Sequence, residues 1–513
     1  MDDRVPKLWQ RGLDYFNQGN LDAAQASFES ILVREPDHGP ARFRLSMIAM
    51  RRGNLARAIA LAREVRQKAP DQLEVNTHLS RCLLQAGQAT EAKAIAMAIA
   101  LRALREGSAT VLESLGTLFH LAGDSRRALP LLDKANERQP GQASLLCTRA
   151  QALKAGGRLA DAEADLEACL AIEPGNTLAH WLIADLRPWD ESHNHVERLQ
   201  AILRLATTGI PEEDLLAYAL FKELDDLDRC AEAWPVLERA LAARRARQRF
   251  DPAKGRELFD LARTNFQEEF LANPSAAPSG PSPIFLVGMP RSGIALLEGI
   301  LGRHSQIRST GVQTHFLQLY AQMCGQKSSR EFEQSLFDPD ANIDYAELGR
   351  RFLAAHAPHP EGKPMFVESQ PMNFPFLACI RRALPNAKIV HMQRDPSDSC
   401  FSLLCRPERE FGPPVFEPLE LAEGHIAYQR LLEHWCRLMP DSVFEVQYES
   451  LVEKPEVVLR VMFAFLGLRY EPAVLAGVTM HRERIGRWQR YAEPLAAMRE
   501  RLRAAESTEA TSW

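Results

Sequence analysis

Between Pro283 and Leu301 the chain reads PIFLVGMPRSGIALLEGIL. The apolar run Ile284 to Val287 predicts a buried strand, Gly288 to Gly293 a tight turn, and the residues from Ser292 onward a helix. A strand, a glycine-bearing loop and a helix N-terminus in that order form an anion cradle, because unpaired backbone N–H groups and the positive helix end converge on one point.

The spacing from Gly288 to Gly293 also fits the G-x-x-x-x-G of a Walker A loop, which makes a nucleotide triphosphatase the first alternative. That reading fails at the next two positions. A Walker A loop continues with Lys and then Ser or Thr, which hold the terminal phosphate and Mg²⁺, whereas this chain has Ile294 and Ala295. The basic group of the loop is Arg291. Further along, KIVHMQRDPSDSCFSLL (Lys388 to Leu404) repeats the strand-turn-helix pattern, with Arg394-Asp395-Pro396 at the turn and Ser402 eight residues after the arginine. An Arg fork with a hydroxyl on the following helix suits a dianionic phosphate.

Together the two segments resemble the sulfotransferases that take 3′-phosphoadenosine 5′-phosphosulfate (PAPS) as donor. PMNFPFL (Pro371 to Leu377), VFEVQYESLVEKPEVVLRVMFAFLGL and IGRWQRY (Ile485 to Tyr491) extend the likeness to bacterial sulfotransferases with tetratricopeptide (TPR) repeats, relatives of the tyrosylprotein enzymes. The resemblance implies that Arg291, Ser292, Gly293, Ile294 and Ala295 face the 5′-phosphosulfate and that Arg394 and Ser402 bind the 3′-phosphate, with no metal. It also implies that the IGRWQRY segment closes over the nucleotide, so that Arg487 either reaches it or makes a structural contact beneath Trp488.

The positions that carry the chemistry depart from the family pattern. The family's glutamate base lies in a G-E stretch that here reads Gly311-Val312-Gln313-Thr314-His315, and its lysine lies in a D-K-x-P stretch that here reads Glu368-Ser369-Gln370-Pro371. His315 and Glu368 are the candidate replacement catalytic groups, each with a structural reading beside it.

Outward from this domain, Gly19, Gly53, Gly87, Gly123 and Gly157 recur at spacings of 34, 34, 36 and 34, with Ala24, Ala58, Ala92, Ala128 and Ala162 behind them and Pro36, Pro70, Pro140 and Pro174 closing units. This is the TPR period. Glycine ends one helix, alanine lets the next approach, and proline stops it. Segments such as LDAAQASFESIL cannot bury their apolar face alone, so the units are expected to stack into a superhelix whose groove holds a protein or peptide, or packs against the rest of the chain.

The predicted fold is therefore multi-domain, with an all-α TPR superhelix followed by an α/β P-loop-like sulfotransferase domain built on a parallel sheet. Its expected parts are about five repeats over 1–186, a helical bridge over 187–272, a Pro/Ser/Gly-rich linker over 273–283, the sulfotransferase domain over 284–495 and a tail over 496–513. The 513 residues, 46% hydrophobic and 25% charged with a net charge of −5, offer no general field for nucleic acid. Nine scattered cysteines without a CxxC pair argue against a disulfide framework or a cysteine zinc site. No run approaches the roughly 20 apolar residues of a membrane span, so a cytoplasmic protein is expected. The leading function is sulfuryl transfer from PAPS to a hydroxyl or tyrosine acceptor, with the repeats recruiting that acceptor or a partner. The alternative is a catalytically impaired, nucleotide-binding scaffold.

Overall fold

The computed structural model describes residues 4–205, 213–247, 251–272, 274–310, 315–326, 333–356, 362–407 and 417–510. The chain divides into two compact units, Met1–Ala179 and His180–Trp513.

The first unit is built from helix pairs: α1 (Arg4–Asn17) with α2 (Leu21–Arg34), α3 (Gly39–Arg51) with α4 (Leu55–Lys68), α5 (Leu73–Gln85) with α6 (Ala89–Glu106), α7 (Ala109–Leu121) with α8 (Ser125–Arg138), and α9 (Ala143–Ala155) with α10 (Leu159–Ile172). The glycine between the members of each pair has φ between 72° and 78°, a left-handed conformation that costs other residues about 1–2 kcal/mol. Asn20, Asn54 and Asp124 then cap the second helices by accepting from the backbone N–H groups of Ala23, Arg57 and Arg127. The five periodic alanines are wholly buried. With no side chain beyond Cβ, they let the second helix of each pair lie close against the first, and each pair packs on the next.

Helix α11 (Thr177–Ala184) spans the division between the units. The second unit continues with α12 (Val196–Leu205), α13 (Glu213–Asp226), α14 (Cys230–Arg247), α15 (Pro252–Asn265) and α16 (Glu268–Leu271). The strands and helices then alternate: β1 (Ser282–Gly288), α17 (Ile294–Leu301), β2 (Ile307–Ser309), α18 (His315–Met323), α19 (Tyr345–Ala355), β3 (Met365–Glu368), α20 (Leu377–Ala383), β4 (Lys388–Gln393), α21 (Pro396–Leu404), α22 (Pro418–Leu438), β5 (Val443–Gln447), α23 (Tyr448–Glu453) and α24 (Pro455–Phe465), with α25 (Ala496–Ala510) last.

All strand pairs are parallel, in the order β2-β3-β1-β4-β5. Strand alternation divides the core in two. Phe285, Val287, Phe366 and Ile389 face one way, onto Phe316, Phe352 and Trp435; Ile284, Leu286, Val390 and Met392 face the other, onto Leu297, Leu459 and Phe463. A sheet buried on both faces needs near-continuous apolar strands, which is what Ile284 to Val287 supplies.

The expected boundaries shift in three places. Residues 187–272 do not stand apart as a bridge: Phe259 and Phe266 of α15 are buried in one cluster with Phe285 and Trp435, and α13 carries Asp225 into contact with the C-terminal segment. Strand β1 begins at Ser282, inside the expected linker. The expected tail is helix α25, which buries Met498 and Leu502 and pairs Arg501 with Glu423 of α22 at 2.6 Å. No described helix is long and apolar enough to cross a membrane.

Candidate active site

The loop from β1 to α17 turns on two residues with positive φ, Arg291 at 71° and Gly293 at 112°. Glycine is required at both ends. A Cβ at Gly288 would lie 2.6 Å from the Met392 carbonyl and 2.8 Å from the Ser292 hydroxyl, and one at Gly293 would lie 2.5 Å from the Tyr448 ring. Ser292 is buried, and its hydroxyl has no hydrogen-bond partner. The Ile294 side chain packs among Leu286, Leu297 and Met392, while Ala295 beside it is exposed. At these two positions only the backbone is left to serve an anion.

Strand β4 brings the second segment to the same place. Asp395 caps α21 by accepting from the Asp398 N–H at 2.8 Å, which fixes Arg394 at the end of the strand. The Arg394 side chain is 6% exposed and donates to the Arg291 carbonyl at 3.1 Å and to the Arg484 carbonyl at 2.7 Å. It also lies over the Tyr448 ring, 4.8 Å from its centroid, and 3.8 Å from the Asp398 carboxylate. Its Nε is buried without a partner. Arg291 in turn approaches the Ser402 hydroxyl at 3.4 Å. Arg291, Ser292, Gly293, Arg394 and Ser402 thus meet at the carboxyl ends of β1 and β4. A crevice at that end, where the strand order reverses, is where open α/β sheets take their ligands.

Arg487 does not join them. Its guanidinium forms an ion pair with the buried Asp225 of α13, which also takes Arg490 at 3.1 Å and the Tyr491 hydroxyl at 2.8 Å. The segment itself is docked on α21 through Asp398, which accepts from the Gly486 N–H at 2.6 Å and the Trp488 N–H at 3.4 Å. Arg487 is therefore a structural contact to a helix that sequence reading set outside the domain.

A cavity of about 490 Å³ opens beside the loop, lined by Ser292, Arg394, His391, His425, Tyr428 and Glu445 among others. In it His391 bonds the Tyr428 hydroxyl through Nε2 at 2.5 Å and Glu445 through Nδ1 at 3.1 Å. The His391 bond holds the Glu445 carboxyl below its usual range, against the effect of burial. Burial raises the Tyr428 phenol well above its usual range, with the Met289 backbone amide pulling the other way, and lowers His425 to about 4. Sequence reading missed this chain of groups, although a histidine inside the apolar strand KIVHMQ was a visible signal.

The two candidate catalytic groups, His315 and Glu368, lie elsewhere and together. Gly311 to Thr314, where the family base is expected, are outside the described residues. His315 opens α18 and is 8% exposed; Glu368 ends β3 and has no exposed surface. Neither lines the cavity beside the loop. Both meet His356, which sequence reading did not single out: His315 Nδ1 is 3.4 Å from His356 Nε2, and that nitrogen is 3.5 Å from Glu368 Oε2. Burial pushes the Glu368 carboxyl up to about 8, tempered by His315 and Asn373. Next to it, Ser369 at the family's lysine position donates to Glu298 of α17 at 2.7 Å, and Ser309 donates to the same carboxylate at 2.6 Å.

Comparison with known proteins accounts for both units. Residues 283–472 match the sulfotransferase family, and residues 10–72 and 49–107 match tetratricopeptide repeats. An uncharacterized protein of Aquifex aeolicus is 26% identical over 360 residues, covering 68% of this chain and 46% of that protein. Protein-tyrosine sulfotransferase 1 of Danio rerio is 27% identical over 211 residues, 40% of this chain and 57% of its own. The Drosophila melanogaster protein-tyrosine sulfotransferase is 25% identical over 197 residues, 37% and 39% of the two chains. The chain spans about half the length of the curated relatives it matches. Residues 283–472 are therefore a sulfotransferase domain, and residues 10–107 are tetratricopeptide repeats.

Proposed function

We propose that this chain transfers a sulfuryl group from PAPS to a hydroxyl-bearing acceptor, a tyrosine side chain among them, and that the repeats bind a protein or peptide. One observation carries the donor assignment: Arg394 holds the Arg291 carbonyl while Arg291 reaches Ser402, so two segments a hundred residues apart form one cationic corner beside a strand-loop-helix turn. The site fits a phosphorylated nucleotide. The unpartnered Ser292 hydroxyl and Arg394 Nε are buried donors awaiting an acceptor, and the loop has no room for a Cβ at either glycine.

In this reading PAPS supplies the sulfuryl group and leaves as the 3′,5′-bisphosphate nucleotide, PAP. Ser292 and the backbone of Gly293 to Ala295 hold the 5′ end, and Arg394 with Ser402 holds the 3′-phosphate. The acceptor enters the cavity, and its hydroxyl proton passes to Tyr428 as the Tyr428 proton moves to His391 Nε2. Glu445, at Nδ1, stabilises the imidazolium that results. The opposing observation is Ser369, a neutral group bonded to Glu298 where the family has a lysine. It supports the second reading, a nucleotide-binding scaffold without turnover.

Calorimetric titration of the full chain with PAP tests the donor site. Micromolar binding, weakened about 10–100-fold by Ser402→Ala as one charge-assisted bond is lost, supports it. Absence of binding refutes it. Binding of PAP with no transfer from labelled PAPS to any acceptor in a screen of phenols, alcohols and tyrosine peptides favours the scaffold.

A further inference from the structure

We propose that His315, His356 and Glu368 form a binding site for one divalent transition-metal ion, zinc by the chemistry of its donors, beneath the carboxyl end of β3. The ligand atoms of the three residues lie within 4.8 Å of one another. The two closest separations are 3.4 Å, between His315 Nδ1 and His356 Nε2, and 3.5 Å, between His356 Nε2 and Glu368 Oε2. Zinc bonds of about 2.0–2.2 Å to nitrogen and oxygen in tetrahedral array set neighbouring ligand atoms roughly 3.3–3.6 Å apart. Both edges match.

The surroundings prepare the ligands. His356 Nδ1 lies 2.9 Å from the Phe352 carbonyl, and a carbonyl only accepts, so Nδ1 carries the proton and Nε2 turns its lone pair towards His315 and Glu368. Fixing the tautomer through the far nitrogen in this way is the usual support of a metal-bound histidine. The His356 ring is clamped as well, stacked on Phe366 with centroids 4.4 Å apart and tilted against Phe352 at 4.6 Å. A second observation is independent of the spacing: Glu368 is wholly buried, and neither carboxylate oxygen makes a hydrogen bond. The charged groups around the cluster are otherwise engaged. Glu298 is taken by Ser309 and Ser369, and Arg308 donates to the His356 carbonyl at 3.1 Å. The His356 lone pair and the buried Glu368 oxygen face one another 3.5 Å apart, a gap that a cation shared with His315 would fill. Two imidazoles and one carboxylate, with the fourth position left for water, are a donor set suited to zinc.

The assignment does not depend on the donor reading, and its test reads metal rather than turnover. The full chain is stripped with chelator, reloaded with Zn²⁺, passed through a desalting column and assayed for zinc by mass spectrometry; parallel samples are titrated with Co²⁺. The expected result is about one zinc per chain, with the intense visible absorption of four-coordinate Co²⁺. Glu368→Gln and His356→Ala, checked for folding by circular dichroism, are expected to weaken retention at least tenfold. Should either variant fail to fold, the Co²⁺ spectrum of the parent chain decides. Zinc lost from the parent on desalting, a six-coordinate Co²⁺ spectrum, or full retention by Glu368→Gln overturns the site. PAP titration of the same zinc-loaded sample keeps failure of the metal site distinct from failure of the donor site.

Discussion

At the scale of single residues, the loop depends on what is missing from Gly293. Its φ of 112° and the Tyr448 ring 2.5 Å from any added Cβ predict that Gly293→Ala lowers the melting temperature and reduces PAP affinity at least about tenfold. Thermal melts and calorimetry on the same sample check both effects. Ser402→Ala separates binding from stability. Ser402 is half-buried, and its Arg291 contact is long at 3.4 Å, so PAP affinity is expected to fall with the melting temperature unchanged. Sequence could place Arg291 and Arg394 together because each follows the end of an apolar strand, where local pattern fixes position, and Ser402 because it lies on the helix after the second strand. His391 and Tyr428, or His315 and His356, were not: their pairing depends on how strands and helices are laid side by side, which spacing along the chain does not encode. For the same reason sequence left Arg487 between two roles: its partner Asp225 lies in a helix with no local tie to it.

At the scale of elements, the helix pairs of the repeat array were legible, since the turn glycines, caps and buried alanines all act within one 34-residue repeat. What the period did not show is the polar contact between units. His78 of α5 is buried, with Nε2 2.9 Å from the Ser46 hydroxyl of α3, which itself donates to the Ala58 carbonyl at 2.7 Å. Burial, aided by Arg81, lowers His78 from 6.5 to about 4. A histidine that resists protonation when folded stabilises the fold above its unfolded value and loses that contribution as pH falls through the folded one. The array is therefore expected to lose up to about 3 kcal/mol between pH 6.5 and 4 on account of this group. Denaturant melts across that range, with His78→Gln flattening the slope, check it. A packing prediction belongs here too. Ala92→Leu adds three carbons at a position with no exposed surface and is expected to cost about 1–3 kcal/mol, read as a shift of the denaturation midpoint.

At the scale of the whole molecule, the sulfotransferase domain as the family defines it is not the folding unit. Phe259 and Phe266 are in its core, and Asp225 holds Arg487, Arg490 and Tyr491. A chain begun at Ile284 is expected to be insoluble or molten, while one begun at His180 gives a cooperative melt and a dispersed amide spectrum. Asp225→Ala in the full chain strands two arginines and is expected to cost about 3–5 kcal/mol. Sequence reading set the boundary at the Pro/Ser/Gly-rich stretch because composition marks exposed backbone; it gives no sign of what the helices before it cover. The sheet order has a further consequence, in time rather than in space. Strand β1 pairs on one side with β3, Ser282 against Met365, and on the other with β4, Ile284 against Lys388. At a ribosomal rate of about 10 residues per second, β1 waits roughly ten seconds for both neighbours. The repeats, whose contacts are local, fold as they emerge. A nascent chain therefore carries a finished helical array and a bare hydrophobic strand at once, which makes the interval between Ser282 and Lys388 the one in which this protein most needs a chaperone.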